Sequence, residues 1–189
     1  ALMAGAPPHR IGVVGDTHVG TGGAHPHRMR RNEVPIERMT ELDAVFVGVD
    51  LIVHCGDVYS PEVLDMLETQ APVVCVRGNG DHEVIGDPRV DESLMLDIEG
   101  FRIGVTHAFE FDSGHRPFEL AARQIFGDAA PNIIICGDTH VPTEQWYGDQ
   151  LLLNPGSPSL PGGVPGPGTV ATLELRRGVA PRFSLRSVE

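Results

Sequence analysis

Short apolar runs that stop at a glycine and then present an acid recur along this chain of 189 residues. Residues 11–18 read IGVVGDTH, residues 52–58 read IVHCGDV and residues 133–140 read IIICGDTH. Continuous β-branched, apolar runs are typical of central strands that are covered on both faces. A glycine directly after such a strand lets the chain turn sharply. The pattern therefore predicts a sheet whose central strands end in polar residues.

Strands and helices alternate in the first part of the chain, whereas strands follow one another later. We predict helices over 33–48, 60–70 and 116–127, with Ser60 as the N-cap of the second and Gly127 after the end of the third. This order indicates an α/β fold with two facing mixed β-sheets flanked by helices, a four-layer α-β-β-α sandwich. Eight strands are predicted, the last two in peripheral antiparallel positions: 10–15, 50–55, 72–77, 101–107, 132–136, 150–154, 169–175 and 182–188.

The length suits a single domain over 1–189, with a flexible tail over 1–9 and loops over 19–31 and 155–168. A formal net charge of −12 argues against a nucleic-acid-binding surface and against attraction to anionic membranes. The three cysteines lie singly in apolar runs, as buried thiols do in a reducing compartment. Because the chain shows neither an apolar stretch of about 20 residues nor a secretory signal, we expect a cytoplasmic protein.

Five of the predicted strand ends carry side chains that can bind a metal ion. In sheets of this kind, ligands gather beyond the carboxyl ends of the strands, so these side chains are expected to share one site. One Asp-x-His at a strand end is usually a cap, but an ordered series of such ends is a much stronger indication. The series comprises Asp16 and His18, Asp57, Asn79, His107, and Asp138 and His140.

The series resembles the calcineurin-like metallophosphoesterase superfamily, and within it the small bacterial and archaeal phosphodiesterase branch. The resemblance covers roughly 11–157 and rests on GDTH at 15–18, HCGDV at 54–58, VRGNGD at 76–81, His107, CGDTHVP at 136–142 and NPGS at 154–157. It implies two divalent metal ions, Mn by preference, with Fe, Mg, Zn or Ni as alternatives, in keeping with oxygen and nitrogen donors. It also implies the ligands, with Asp57 as the bridge: Asp16, His18, Asp57 and His140 for one ion, and Asp57, Asn79, His107 and Asp138 for the other.

The activity that the resemblance implies is hydrolysis of a small phosphoester by a hydroxide that bridges the two ions, with diesters preferred over monoesters. One alternative is a phosphomonoesterase or nucleotide pyrophosphatase. Another is a non-catalytic metal-binding scaffold or interaction module, because the small retromer subunit of eukaryotes resembles the same fold. Association of the chain into a homo-oligomer stays open.

Two positions depart from the family pattern. Many members carry a histidine directly after the ligand asparagine, where this chain has Gly80. The candidate catalytic residues are then Asn79 and, as a substitute for the missing histidine, His82, for which a surface or capping histidine is the alternative. Asp138 stands where the family usually has histidine. Its negative charge should hold hard ions more tightly and attract an anionic phosphate less; otherwise Asp138 is no ligand, and the chain binds one metal or none.

Other polar residues receive more modest interpretations. Arg28 and Arg30, in the loop after His18, either meet phosphate oxygens of the substrate or belong to a solvated loop. His54 is interpreted as a core histidine with satisfied hydrogen bonds. Asn154 and Ser157 are expected to shape the loop behind the metals rather than touch substrate.

Overall fold

The structure is a computed structural model that describes residues 7–20, 33–112, 115–128 and 130–188, and of Asp43 only the backbone. Within these ranges the chain forms eleven strands and three α-helices. The helices are α1 (Leu42–Val45), α2 (Pro61–Glu68) and α3 (Phe118–Phe126). The strands are β1 (His9–Val14), β2 (Leu51–His54), β3 (Val73–Val76), β4 (Val90–Asp91), β5 (Ser93–Ile98), β6 (Phe101–Thr106), β7 (Ile133–Ile135), β8 (Thr143–Tyr147), β9 (Gln150–Asn154), β10 (Gly168–Leu175) and β11 (Arg182–Val188).

The strands form two mixed sheets. The six-stranded sheet has the order β11-β10-β1-β2-β3-β4, in which β1 to β4 are parallel and β10 and β11 are antiparallel to their neighbours. The five-stranded sheet has the order β5-β6-β7-β9-β8, with a parallel centre of β6, β7 and β9. In the six-stranded sheet the parallel strands form one side and extend to the outermost strand β4, whereas in the five-stranded sheet they lie in the middle. Within each parallel set the carboxyl ends point the same way.

Alternate side chains of the central strands point into different apolar clusters. In β7, Ile133 and Ile135 pack between the two sheets, whereas Ile134 packs with Phe118 of α3. In β2, Val53 faces the other sheet and Ile52 joins the cluster that includes α1 and α2. Three apolar interfaces thus separate four layers, and the predicted α-β-β-α sandwich is confirmed.

The predicted helix over 33–48 is wrong. Val34 pairs with Val19 in an isolated bridge, and Pro35 has extended backbone, so helical structure begins only at Ile36. The chain then forms a 3₁₀ turn, Ile36–Met39, and the single turn of α1. Four apolar residues of this segment are nevertheless buried in the cluster beside the six-stranded sheet, which explains why its pattern is amphipathic: Val34, Met39, Leu42 and Phe46.

The other two helices are confirmed with shorter bounds. The Ser60 hydroxyl oxygen accepts a hydrogen bond from the backbone N–H of Glu62 at 3.3 Å and so caps α2. Gly127 follows α3 with a φ of +74°, the left-handed conformation that glycine adopts at low cost. In the described ranges no helix is long and apolar enough to cross a membrane.

Strands β4, β5 and β8 do not appear among the predicted strands. β5 and β8 lie at the edges of the five-stranded sheet. Three of the five residues of β8 are exposed and its apolar signal is weak, whereas β5 is rich in Leu and Met, which favour a helix as readily as a strand. His9 belongs to β1, so the predicted tail over 1–9 is too long, and residues 1–6 lie outside the described ranges. The predicted loop over 155–168 contains a 3₁₀ turn, Pro161–Gly163, and most of the loop over 19–31 is not described.

Candidate metal centre

The metal-capable residues of the sequence series lie where the carboxyl ends of the parallel strands of both sheets come together. Side chains from the two sheets approach each other there: His140 Nε2 is 3.6 Å from Asp16 Oδ1, and His107 Nε2 is 3.7 Å from Asp57 Oδ2. Five strands deliver the residues: Asp16 and His18 after β1, Asp57 after β2, Asn79 after β3, His107 after β6, and Asp138 and His140 after β7.

Five of these residues have left-handed backbone, which is unusual for residues other than glycine. Each such residue costs roughly 1–3 kcal/mol, and such conformations cluster at functional sites. Hydrogen bonds between the strand ends hold the turns: Asp16 N–H donates to Gly56 O and His18 N–H donates to Asp57 O, both at 2.9 Å. The left-handed residues are Asp16 (φ +53°), His18 (+52°), Asp57 (+53°), Asp138 (+68°) and His140 (+58°).

Two glycines are required by the closeness of the strand ends. Gly56 has a φ of +90°, and a Cβ there would lie 2.6 Å from His107 Nδ1. A Cβ at Gly137 would lie 2.9 Å from both Asp16 Oδ2 and Cys55 O. Any side chain at these positions would push the metal-capable groups apart.

Backbone carbonyls fix the tautomer of two histidines. His107 Nδ1 lies 2.8 Å from Cys55 O, and His140 Nδ1 lies 2.7 Å from Leu160 O. A carbonyl oxygen only accepts, so Nδ1 carries a proton in each ring, and Nε2 is the ring nitrogen directed into the centre, where it can bind a metal ion. His107 Nε2 is buried and makes no hydrogen bond within the described residues.

Asp57 lies between the two sides of the centre. Its Oδ1 accepts a hydrogen bond from Gly80 N–H at 2.8 Å, which leaves Oδ2 directed inward. Asp57 Oδ2 is 3.4 Å from His18 Nε2 and 3.7 Å from His107 Nε2. Donor atoms around a single ion at about 2.0–2.2 Å lie roughly 3–4 Å apart, so this spacing suits ligation on both sides of Asp57.

Asp16 is fully buried, and its Oδ2 makes no hydrogen bond within the described residues. Burial raises the pKa of this carboxyl to about 8, and the nearby charge of Asp57 adds to the shift. By distance, Asp16 belongs to two donor groups, one with His18 and His140 and one with Asp57 and His107. A carboxylate in this position is costly unless a cation accompanies it.

Asn79 and Asp138 form the open side of the centre. Asn79 is exposed, and its Nδ2 donates to Asp138 Oδ1 at 3.4 Å. Asp138 Oδ1 is also 3.6 Å from His107 Nε2, and the Asp138 side chain is 36 % exposed. Asp138 therefore lies beside the other donors, with one face toward solvent.

The NPGS segment supports both Gly-Asp-Thr-His turns from behind. Asn154 Nδ2 donates to Gly137 O at 2.8 Å, Ser157 Oγ donates to Asp16 O at 2.7 Å, and Ser159 Oγ donates to Thr17 O at 2.8 Å. The segment is buried, as expected of residues that shape the site without touching substrate. These hydrogen bonds confirm that Asn154 and Ser157 shape the loop, and the absence of substrate contact stays a prediction.

His54 is a core histidine with both ring nitrogens engaged. Its Nδ1 accepts from Gly56 N–H at 3.2 Å, and its Nε2 is 3.1 Å from Thr17 Oγ1. Burial, with His107 and His18 nearby, lowers the pKa of His54 to about 3, so the ring is neutral. The interpretation from sequence is confirmed.

Three candidate residues are not brought to the centre by the described contacts. His82 is exposed, and its backbone N–H donates to Gly80 O at 2.9 Å. Its catalytic role therefore stays a prediction. Arg28 and Arg30 lie outside the described residues, and their contact with phosphate stays a prediction as well.

Sequence reasoning missed Tyr59 and Asp81. The Tyr59 ring lies 4.5 Å from the ring of His18, centroid to centroid, and the residue is buried with a φ of +66°. Asp81 is buried and accepts from the backbone of both Gly78 and Tyr59. The available signal was position: Tyr59 is an aromatic residue two places after Asp57, and Asp81 completes the Gly-Asn-x-Asp motif.

Comparison with known families gives a match that spans most of the chain. The calcineurin-like phosphoesterase superfamily domain matches residues 10–178. The chain belongs to this superfamily. A probable metallophosphoesterase from Methanothermobacter thermautotrophicus is 39 % identical over 152 residues, which cover 80 % of this chain and 78 % of the relative.

Two further similar proteins are more distant in sequence. A phosphodiesterase from Methanocaldococcus jannaschii is 25 % identical over 160 residues, covering 78 % of this chain and 82 % of the relative. Vacuolar Protein Sorting 29 from Cryptosporidium parvum has the same fold, with a TM-score of 0.67 and 21 % identity over 96 % of this chain and 98 % of that protein. The fold is thus shared between metallophosphoesterases and Vacuolar Protein Sorting 29.

Proposed function

We propose that this chain hydrolyses small phosphodiesters with two divalent metal ions, Mn by preference, bound at the candidate metal centre. The observation that carries the proposal is the orientation of His107 and His140. Both rings direct Nε2 at carboxylate oxygens 3.6–3.7 Å away. Nitrogen and carboxylate donors at this spacing suit a divalent cation bound between them.

The donors divide into two sets that share Asp57. His18 and His140, with Asp16, would hold one ion, and His107, with Asn79 and Asp138, would hold the other. Asp57 Oδ2 faces a histidine of each set, which supports its role as the bridge. Asn79 donates to Asp138 through its amide nitrogen. With the amide in the flipped orientation, its oxygen would be the atom that binds an ion.

Bound in these sets, the ions would polarise the phosphoryl oxygens and acidify the water that attacks phosphorus. The protein contributes rigidity, because left-handed turns and carbonyl-bound imidazoles hold the donors in place before substrate arrives. Substrate would enter beside Asn79 and Asp138, the exposed members of the donor set. The binding groups of the substrate are its phosphoryl oxygens.

The charge of Asp138 supports diesters over monoesters as substrates. A phosphodiester carries one negative charge, whereas a phosphomonoester carries about 1.5 to 2 near neutral pH, because its second pKa is about 6. A carboxylate at the open side of the site repels the more highly charged group more strongly. The phosphodiesterase relative from Methanocaldococcus jannaschii supports the same choice.

The test is hydrolysis of bis-p-nitrophenyl phosphate with Mn, together with metal content, for the wild type, Asp57→Ala and Asp97→Ala. Asp97 is an exposed carboxylate in β5 and is the matched control. We expect Asp57→Ala to lose more than the roughly 10–100-fold that removal of an outer partner of a metal ligand costs. Asp97→Ala should match the wild type. A wild type that binds less than one metal per chain and is no more active than Asp57→Ala would favour a scaffold instead.

The monoester p-nitrophenyl phosphate separates the two enzymatic alternatives. We expect the ratio of kcat/KM for diester over monoester to exceed one in the wild type. A ratio below one would assign the site to monoesters.

A further inference from the structure

Position 80, directly after Asn79, has no side chain, and the ring of Tyr59 fills the space beside it. A Cβ built on Gly80 would lie 2.6 Å from the Tyr59 hydroxyl oxygen and closer still to the ring carbons. The Tyr59 hydroxyl therefore lies where the first atoms of a residue-80 side chain would be. In the sequence these two positions are 21 apart, so only the fold shows that Tyr59 fills the space of a residue-80 side chain.

Two carboxylates hold Tyr59 in this place. Asp57 Oδ1 accepts from Gly80 N–H, and Asp81 Oδ1 accepts from Tyr59 N–H, both at 2.8 Å. Asp81 Oδ2 accepts from Gly78 N–H, also at 2.8 Å. Hydrogen bonds thus join the segments 57–59 and 78–81 in both directions. Tyr59 is held with left-handed backbone.

The Tyr59 ring lies between His18 and the segment that carries Asn79. The rings of Tyr59 and His18 are tilted by 49° with their centroids 4.5 Å apart, and the hydroxyl end lies beside Gly80, the residue after Asn79. Asn79 is at the open side of the centre, where substrate is proposed to enter. The Tyr59 hydroxyl is thus placed beside the segment that borders this side.

We propose that the Tyr59 hydroxyl contacts the phosphodiester and donates a hydrogen bond to the oxygen of the leaving group, in the place of the side chain that Gly80 lacks. The proposal rests on the function proposed above. The phenol keeps its proton throughout: as the P–O bond of the leaving group breaks, the hydrogen bond stabilises the negative charge that develops on that oxygen. Water then protonates the departing alcoholate or phenolate.

Such a donor matters most for leaving groups that carry a large developing charge. The strength of a hydrogen bond to an oxygen rises with the negative charge on it. Nitrophenolate spreads its charge into the ring, whereas phenolate and alcoholates keep it on oxygen. The contribution of Tyr59 should therefore grow as the leaving group becomes poorer.

The experiment compares Tyr59→Phe with Tyr147→Phe over a series of aryl phosphodiesters, from p-nitrophenyl to phenyl leaving groups. Tyr147 is the only other tyrosine of the chain; it packs against Phe118 and lies apart from the centre, so it is the matched control. For Tyr59→Phe we expect kcat to fall by a few-fold with p-nitrophenyl and by about 10- to 100-fold with phenyl leaving groups, since lost donors of this kind cost up to about 100- to 1,000-fold. Tyr147→Phe should follow the wild type along the whole series.

Two measurements without turnover accompany the series. Metal content and thermal midpoint should be unchanged in Tyr59→Phe, because the ring that packs against His18 is kept. Calorimetric titration of the Mn-loaded protein with inorganic phosphate should show about 5- to 10-fold weaker binding, equivalent to the loss of one hydrogen bond.

The outcomes separate the two proposals. A wild type without metal-dependent hydrolysis overturns the proposed function and, with it, the role of Tyr59. An active wild type with an equal loss in Tyr59→Phe for all leaving groups, or no loss, overturns the role of Tyr59 alone. Loss of metal from Tyr59→Phe does so too, since the hydroxyl would then act on the metal centre.

Discussion

The sequence Gly-Asp-Thr-His occurs twice, at 15–18 after β1 and at 137–140 after β7, and the two copies differ in their surroundings. Both give left-handed backbone at the Asp and the His. Asp16, however, is fully buried, whereas the side chain of Asp138 is 36 % exposed. The same four residues thus form the same turn in two settings.

The difference shows that local sequence decides the turn and the fold decides its electrostatics. The first copy lies in the six-stranded sheet, and the loop of Ser157 and Ser159 covers it. The second copy ends the shortest central strand of the other sheet and opens to solvent at Asp138. A buried carboxylate keeps its field almost undiminished, while an exposed one is screened by water.

Removing the carboxylate of Asp16 and that of Asp138 in turn should show most clearly that the two Gly-Asp-Thr-His copies are not equivalent. We expect Asp16→Asn to lower metal affinity and kcat/KM by more than about 100-fold, because it removes a buried donor whose negative charge, once a cation binds and displaces the proton, is little screened by water. Asp138→Asn should lower them by about 10-fold or less. Metal titration and steady-state kinetics measure both. Equal losses in the two variants would show that burial does not separate the two copies.

The stability of the metal-free protein should depend on pH through Asp16. Its pKa is about 8 in the folded chain, mainly because of burial, against 3.8 for an ordinary aspartate. The folded state then binds more protons than the unfolded state between these values, so stability falls as pH rises from about 4 to about 8, by up to about 1.4 kcal/mol per pH unit. Below about 4 the carboxyl is protonated in both states, and the loss disappears.

Chemical denaturation of chelator-treated protein at several pH values measures this slope. Asp16→Asn should flatten it and should be more stable than the wild type near pH 8, whereas Asp138→Asn should retain most of it. Added Mn should also flatten the slope, because it binds the folded state and favours the ionised carboxylate. A slope that survives in Asp16→Asn would assign the pH dependence to other groups.

The threonines of the two Gly-Asp-Thr-His copies also differ in burial. Thr17 is buried and lies between His54 Nε2 and Val58 O, whereas Thr139 is exposed and meets Asn154. We expect Thr17→Val to lower the free energy of unfolding by about 1–3 kcal/mol, because it leaves a buried imidazole without its partner. Thr139→Val should cost less than about 1 kcal/mol. Equilibrium urea unfolding of both variants is the measurement, and a reversed order would contradict it.

Much of this arrangement could be predicted from the sequence, because parallel strands leave strong signals. Runs such as IIIC predict central strands. The glycine and acid after each run predict that the carboxyl ends of these strands carry a common site. Edge strand β8 was missed because three of its five residues are exposed and its apolar pattern is weak, and β5 was missed because its Leu and Met residues favour a helix as readily as a strand. The segment 33–48 was mistaken for a helix because burial of Met39, Leu42 and Phe46 imitates helical spacing.

Long-range relations in the site could not be read from sequence. Asp16 and Asp138 carry identical neighbours, so nothing local distinguishes the buried carboxylate from the exposed one. Tyr59 fills the place of a residue-80 side chain only because the hydrogen bonds of Asp57 and Asp81 hold the two segments together. Such relations depend on distances between segments that are far apart in the sequence. Composition and residue spacing carry no information on these distances.

The smallest expected effect comes from Asp138→His, which restores the family residue at the exposed copy. The variant removes one negative charge near the entering phosphate, and partial exposure limits the gain through screening. We expect a few-fold higher kcat/KM, larger for a monoester than for a diester because the monoester carries the greater charge, and weaker retention of the second metal. Kinetics on both substrates and metal dissociation in a chelator measure these changes. If neither changes, Asp138 is not a ligand, and the charge that sets the diester preference must lie elsewhere in the site.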